Sequence, residues 1–278
     1  MKAAMLDRVF ARVMPAAHAA FHTKRDYGFH AERCAKYPLR PPSSRAGAIL
    51  DVLRRDGYFV VDAFWDRDKC DRAIDEIDVM LRKYPQFVHG PPKSDLRIFG
   101  ADKLAPQCAE FGGDDVLAEV ATQHNGMPTR LGMTLAARLE AKEGNLGSGE
   151  GWHRDQFFVS TKAMLYLTDV GPDSGPFQML RSSFALEDVC RDIPRAGLGH
   201  MQYRIRQEQV DRLVDANPER LETFVARAGT LIVFNASTIH RGMPIRHGTR
   251  YALTNYYFTA EWSDAEIHRQ FAPVATAP

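Results

Sequence analysis

The chain has 278 residues, 36 Lys and Arg against 35 Asp and Glu, and an apolar fraction of 45%. A net charge of +1 gives no whole-surface attraction for nucleic acid, and the composition excludes a disordered tail or a collagen-like fibre. No run of about 18 apolar residues occurs, so no membrane span is expected; four dispersed cysteines, Cys34, Cys70, Cys108 and Cys190, form no CxxC pair and fit a reducing, cytoplasmic compartment.

Residues 1–45 read as an N-terminal arm and linker. Leu6, Val9, Phe10 and Val13 fall on one helical face, while Asp7, Arg8 and Arg12 break the apolar run that a secretory signal needs. Such a face can meet a membrane surface, a partner or the protein's own body, and the last is the commoner outcome. The segment PLRPPSS, residues 38–44, cannot continue a helix and ends the arm. Residues 46–278 read as a single domain. AILDVLRRDG forms a helix ending at Gly57, and YFVVDAF a strand. Asp66 caps a helix over 67–83, whose apolar face is Cys70, Ala73, Ile74, Ile77, Met80 and Leu81. A further helix is expected over 114–123.

From about Arg130 the apolar period becomes 2: Leu131, Met133, Leu135, Ala137 and Leu139 alternate with smaller or polar residues. FFVS, AMLYLTDV, PFQML, HMQYRI, TLIVFN and RYALTNYYF then read as short strands. A helix over 208–217 interrupts them. A last helix starts at Ser263, with Glu266 completing a capping box. Many short strands with Gly, Pro, Asp and Ser between them indicate a sandwich, jelly roll or barrel with helices outside. No GxGxxG, P-loop or GxSxG elbow occurs.

Three pieces of the β-rich half carry chemistry. GWHRDQF holds His153 and Asp155 at i, i+2, which share one face of a strand. STIHRGMP holds His240, and GTRYALTNYYF opens with Arg250, which a hairpin through MPIRHG would bring beside His240. Two His and one carboxylate make the facial triad of non-heme Fe(II) oxygenases. An Arg fork beside it suits the distal carboxylate of 2-oxoglutarate. HxD alone is a weak signal, and an HxE decoy, His30 and Glu32, lies in the arm outside any β pattern. The discrimination comes from HxD, a later His and an Arg ten residues further on, all within one β-rich region.

These blocks resemble the phytanoyl-CoA dioxygenase superfamily of Fe(II)- and 2-oxoglutarate-dependent oxygenases over roughly residues 50–260. The similar segments are LRRDGYFVVDAFWDRDKCDRAIDEI, GWHRDQF, KAMLYLTDVGPDSGPFQML and AGTLIVFNASTIHRGMPIRHGTRYALTNYYF. The resemblance implies an α+β, mainly β fold: a double-stranded β-helix, the cupin-like jelly roll, flanked by α-helices. It implies His153, Asp155 and His240 as iron ligands and catalytic centre, and Arg250 on the 2-oxoglutarate C5 carboxylate. Its cofactors would be Fe(II), 2-oxoglutarate and O2. The implied reaction is oxidative decarboxylation of 2-oxoglutarate to succinate, coupled to hydroxylation of a small molecule. Asp155 stands where related halogenases carry a small residue, which favours hydroxylation. Where the family usually shows a Pro-Gly-Ser-His turn, this chain has Arg181-Ser182-Ser183-Phe184.

Tyr166, Arg138 and Thr254 are candidates for further cosubstrate contacts, each against a packing or ion-pairing role. Arg154 and Arg181 read as structural and surface residues. Trp152 is expected to pack a loop over the site, and Gly144 to Gly151 to form a mobile loop beside the entrance. His18, His22, His89, His124, His200, His247 and His268 have no ligand-like setting. The expected partner is a small-molecule substrate, with no nucleic acid, and the oligomeric state is open. The competing reading is a non-catalytic metal and 2-oxoglutarate sensor on the same fold.

Overall fold

Period-2 alternation in the second half of the chain sorts side chains between two environments, and the computed structural model, which describes residues 2–90 and 94–277, shows both. The N-terminal half supplies helices α1 (Lys2–Val13), α2 (Pro15–Cys34) and α3 (Ser44–Asp56), then strand β1 (Tyr58–Val61) and helix α4 (Arg67–Lys83). Strands β2 (Val88–His89) and β3 (Asp95–Phe99) precede helices α5 (Pro106–Gly112) and α6 (Asp115–Asn125). The β-rich half follows: β4 (Thr129–Glu140), β5 (Thr161–Tyr166), β6 (Phe177–Leu180), helices α7 (Leu186–Ala196) and α8 (Gln207–Ala216), then β7 (Leu221–Phe224), β8 (Leu231–Asn235), β9 (Ile239–Gly242), β10 (Thr249–Thr259) and α9 (Asp264–Phe271).

A seven-stranded antiparallel sheet in the order β1-β8-β5-β10-β4-β3-β2 faces a three-stranded sheet, β7-β6-β9. This is the jelly roll flanked by helices. On β5, Ala163 and Leu165 join the outer core under α3–α6, with Leu53, Ile77, Phe111 and Val120. Met164 and Tyr166 point the other way, into the space between the sheets, with Phe177, Met179, Ile232 and Phe234. The far side of the small sheet, Leu180 and Ile239, packs against α2, α7 and α8.

The caps follow the sequence. Asp66 accepts from the Lys69 N–H at 2.8 Å, Asp114 from the Leu117 N–H at 2.9 Å, and Ser263 with Glu266 forms its capping box. Gly57 ends α3 in the left-handed region, φ 84°. Three expectations change, and one helix enters that the sequence did not announce. FFVS is no strand: Phe157 leaves any alternation to pack with α2, where the Tyr27 hydroxyl donates to the Phe184 carbonyl at 2.7 Å. HMQYRI is a turn with Met201 at φ 52°, touching the sheet system through one bridge, Arg204 to His153. Residues 186–196 form a helix that Pro194, near its end, conceals in the sequence. Finally, β9 and β10 lie in opposite sheets, so no hairpin joins His240 to Arg250. The arm is less detached than its linker suggests, because α2 packs on α7 through Ala19 and its neighbours. Among the described residues no helix is long and apolar enough to cross a membrane.

His124, near the end of α6, is buried with Nδ1 2.8 Å from Thr161 Oγ1. Burial pushes its pKa down from 6.5 to about 3. The unfolded chain therefore binds the extra proton, and stability is lost as pH falls from 6.5 towards 3. Urea unfolding across that range should show a flatter acid limb in His124→Gln than in the wild type, by up to about 1.4 kcal/mol per pH unit. Equal slopes would contradict this.

Candidate metal and cosubstrate site

The site begins with a backbone pairing. The His153 N–H donates to the His240 carbonyl at 2.9 Å, and the His240 N–H donates back at 2.9 Å. Residues directly opposite in an antiparallel pair send their side chains to one face, so the two imidazoles stand with ring centroids 4.4 Å apart. His153 belongs to an isolated bridge, not to a full strand. Asp155, two residues on, keeps the same side and is tied by its N–H to the Ala236 carbonyl at 3.0 Å.

Both rings are oriented alike. Nδ1 of His153 lies 2.8 Å from the Gly151 carbonyl and Nδ1 of His240 lies 2.8 Å from the Thr238 carbonyl. A carbonyl only accepts, so each Nδ1 carries the proton and each Nε2 offers a lone pair. Asp155 Oδ1 is 3.8 Å from His153 Nε2, and Oδ2 is 3.1 Å from His240 Nε2. One ligand atom from each residue lies within 4.8 Å of the others. Burial, and next His240, push the His153 pKa down to about 3, which keeps the ring in its ligating form.

Asp155 is buried against its charge, yet the Lys162 ammonium holds it well below the usual carboxylate range. Lys162 Nζ is 2.8 Å from Asp155 Oδ2 and 3.6 Å from the centre of the Tyr256 ring. Lys162 did not stand out in the sequence. Its signal was there: a lysine in the apolar strand TKAMLYL, on the same parity as Met164 and Tyr166.

A cavity of about 100 Å³ holds His153, Asp155 and His240 together with Arg97, Lys162, Arg250 and Thr254, over an apolar lining of Leu135, Met164, Phe177 and Phe234. Arg250 is 3% exposed, and its Nε has no hydrogen-bond partner. One Nη donates to the Gly175 carbonyl. A larger cavity of about 590 Å³ shares Arg97 and Gly149 with the first. Arg97 is held there by Asp95 and by Ser148 Oγ at 2.9 Å.

Two of the cosubstrate candidates lie elsewhere. Arg138 shares its strand face with Ala136, on the helix side of β4, so it points away from the inter-sheet space. It ends in ion pairs with Asp78, at 3.0 Å, and Glu140. Tyr166 does face inward, but its hydroxyl accepts from the Phe177 N–H at 2.8 Å and donates to the Phe224 carbonyl at 3.3 Å. It is a fully buried tie between sheets with its ring 5.9 Å from the Arg250 guanidinium. Thr254 lines the cavity. Arg154 is buried and donates to the Ser183 and Ser237 carbonyls, and Arg181 pairs with Asp56 at 3.5 Å. Trp152 is buried under Arg241, with Nε1 donating to Gln207 at 3.1 Å.

The glycine-rich loop is fastened, not free. The Gly242 N–H donates to the Ser148 carbonyl at 2.9 Å, and Arg204 donates to the Gly149 carbonyl. Gly149, at φ 84°, lies so close that a Cβ there would sit 2.2 Å from the His153 ring.

The model of the phytanoyl-CoA dioxygenase family matches residues 53–249. Among solved structures, the chain is similar to the non-heme alpha ketoglutarate dependent epimerase SnoN from nogalamycin biosynthesis in complex with Fe3+, alpha ketoglutarate and nogalamycin RO. The identity is 20% over 77% of this chain and 84% of that one, with a TM-score of 0.57. The non-heme alpha ketoglutarate dependent carbocyclase SnoK from nogalamycin biosynthesis matches at 16% identity over 80% and 88%, TM-score 0.58. HygX from Streptomyces hygroscopicus, with nickel, 2-oxoglutarate and hygromycin B bound, matches at 16% over 78% and 88%, TM-score 0.55. At these identities the likeness establishes a shared fold.

Gly144 is also at positive φ, 76°, but a Cβ there meets nothing within 4 Å. Ala at either position pays the backbone strain, and only Gly149→Ala strikes His153. Co(II) titration should show Gly149→Ala binding at least about tenfold more weakly than Gly144→Ala, the effect of an overpacking penalty of about 1.4 kcal/mol or more. Equal affinities would refute the loop's role in seating the ring.

Proposed function

The chain belongs to the phytanoyl-CoA dioxygenase family, and from that premise we propose that it is an Fe(II)- and 2-oxoglutarate-dependent oxygenase that hydroxylates a small organic substrate. The observation that carries the reading is one cavity containing two imidazole Nε2 atoms and a carboxylate, plus a buried guanidinium whose Nε is unpartnered. The donor set fits iron: two neutral nitrogens and one anionic oxygen leave the remaining positions of an octahedral ion to other ligands. The unpartnered Nε fits a carboxylate, since a buried donor without an acceptor is costly.

In this reading His153, Asp155 and His240 hold Fe(II), and Arg250 binds the distal carboxylate of 2-oxoglutarate with Thr254 beside it. Bound Fe(II) with 2-oxoglutarate and O2 supplies the oxidising power, and 2-oxoglutarate leaves as succinate and CO2. The protein's part is placement and dryness. Lys162 fixes the Asp155 carboxylate by holding Oδ2. Phe177, Phe234 and Met164 keep water from the small cavity. The 590 Å³ cavity beyond Arg97 and Gly149 has room for a small-molecule substrate. Four cysteines without disulfides suit a cytoplasmic setting.

Purified protein with Fe(II), ascorbate and 2-oxoglutarate should release succinate, and Asp155→Ala should not. Arg250→Lys should raise the KM for 2-oxoglutarate at least about tenfold, because an ammonium cannot reproduce the guanidinium fork. Hydroxylation adds one oxygen to the substrate, whereas the epimerase and carbocyclase reactions named for SnoN and SnoK add none. Product mass therefore separates these outcomes. Tight 2-oxoglutarate binding without succinate across a substrate library would overturn the enzymatic reading in favour of a sensor.

A further inference from the structure

Among the described residues a second set of metal-ligating side chains comes together, far along the chain from the first: Asp7, His18 and His22. His18 and His22 stand at i, i+4 on α2 and share one face. Their Nε2 atoms lie 3.1 and 2.9 Å from one oxygen, Asp7 Oδ1 on α1. One ligand atom from each residue lies within 4.8 Å of the others. The two imidazoles are already shielded, at 18% and 14% side-chain exposure, whereas Asp7 is 50% exposed. The His22 ring lies 5.4 Å from that of His200, which is itself engaged by Asp26 at 2.7 Å.

The surroundings give the cluster a purpose. Four of the apolar residues of α1 do not dock it: Met5, Leu6, Val9 and Val13 are 69%, 69%, 50% and 70% exposed. Phe10 makes edge contacts with His18 and Phe21. A helix of 12 residues is marginal alone in water. Its attachment to α2 therefore depends heavily on a polar cluster, and a surface carboxylate–histidine pair is a weak tie. A metal ion at the same three atoms is a much stronger one.

We propose that Asp7, His18 and His22 form a divalent transition-metal site of the zinc class that clips α1 to α2, separate from the His153, Asp155 and His240 centre. Two imidazoles and one carboxylate are borderline-to-hard donors, and with water they complete the four-coordinate shell that Zn2+ takes. Mg2+ and Ca2+ prefer all-oxygen shells, and Fe(II) stands below Zn2+ in the affinity order for such ligands.

The test uses the full-length, untagged chain, stripped by chelator and titrated with Zn2+ and, for its visible spectrum, Co2+. The wild type should take up two equivalents. His153→Ala/His240→Ala should retain one, and His18→Ala/His22→Ala should lose one. Asp7→Asn, which keeps the shape of the side chain, should bind at the clip at least tenfold more weakly. Hydrogen exchange across residues 2–13 should slow on adding Zn2+ to the wild type and to His153→Ala/His240→Ala, but not to Asp7→Asn. Circular dichroism checks that each variant is folded; if the double His18/His22 variant is not, Asp7→Asn decides. No metal uptake by the folded His153→Ala/His240→Ala chain overturns the proposal. Unchanged affinity or protection in Asp7→Asn overturns it as well.

Discussion

Two backbone hydrogen bonds between His153 and His240 hold together parts of the chain 87 residues apart. Around residues 151–160 there is no regular strand, so single ties set where the HxD segment lies: this bridge, the Asp155 tie to Ala236 and the bonds of residues 152–154 to the turn at 203–205. The pairing dictates that both imidazoles emerge on one side, into the space between the sheets. The carbonyls of Gly151 and Thr238 then choose the tautomer. Gly149 is small because the His153 ring occupies the space a side chain would need.

The second constraint is charge. Asp155, Lys162, Arg97 and Arg250 crowd a cavity of about 100 Å³, where an unpaired ion costs several kcal/mol or more. Most of the charges are answered: Lys162 by Asp155, Arg97 by Asp95. Arg250 has the Gly175 carbonyl on one side and an unpartnered Nε on the other. This incompletely satisfied cation lies in the cavity that holds the His–Asp–His cluster. The arrangement differs from that of Arg154, an arginine buried between two carbonyls, and it is what the proposed carboxylate contact of Arg250 rests on.

Local signals in the chain carried much of the fold. The caps at Asp66 and Ser263 and the alternation along β4 are properties of neighbouring residues, and they matched the structure closely. What failed depends on distant partners. FFVS has strand-like residues, yet Phe157 is claimed by α2; Pro194 hides a helix whose apolar face is answered by the small sheet. Arg138 was a matter of parity, since it shares a face with Ala136 and not with Leu135. Tyr166 had the right parity, but its hydroxyl was needed by the backbone of β6 and β7. The Asp7, His18 and His22 cluster was invisible because it forms only when α1 folds back on α2.

If the His153–His240 bridge builds an Fe(II) site beside an arginine that takes 2-oxoglutarate, Fe(II) and 2-oxoglutarate bind together in one cavity. Anaerobic titration of the Fe(II)-loaded protein with 2-oxoglutarate, followed by its visible charge-transfer absorption, tests this most directly. The wild type should take up one saturable equivalent and His240→Ala none. Absence of the band in the wild type, or the same band in His240→Ala, would contradict it.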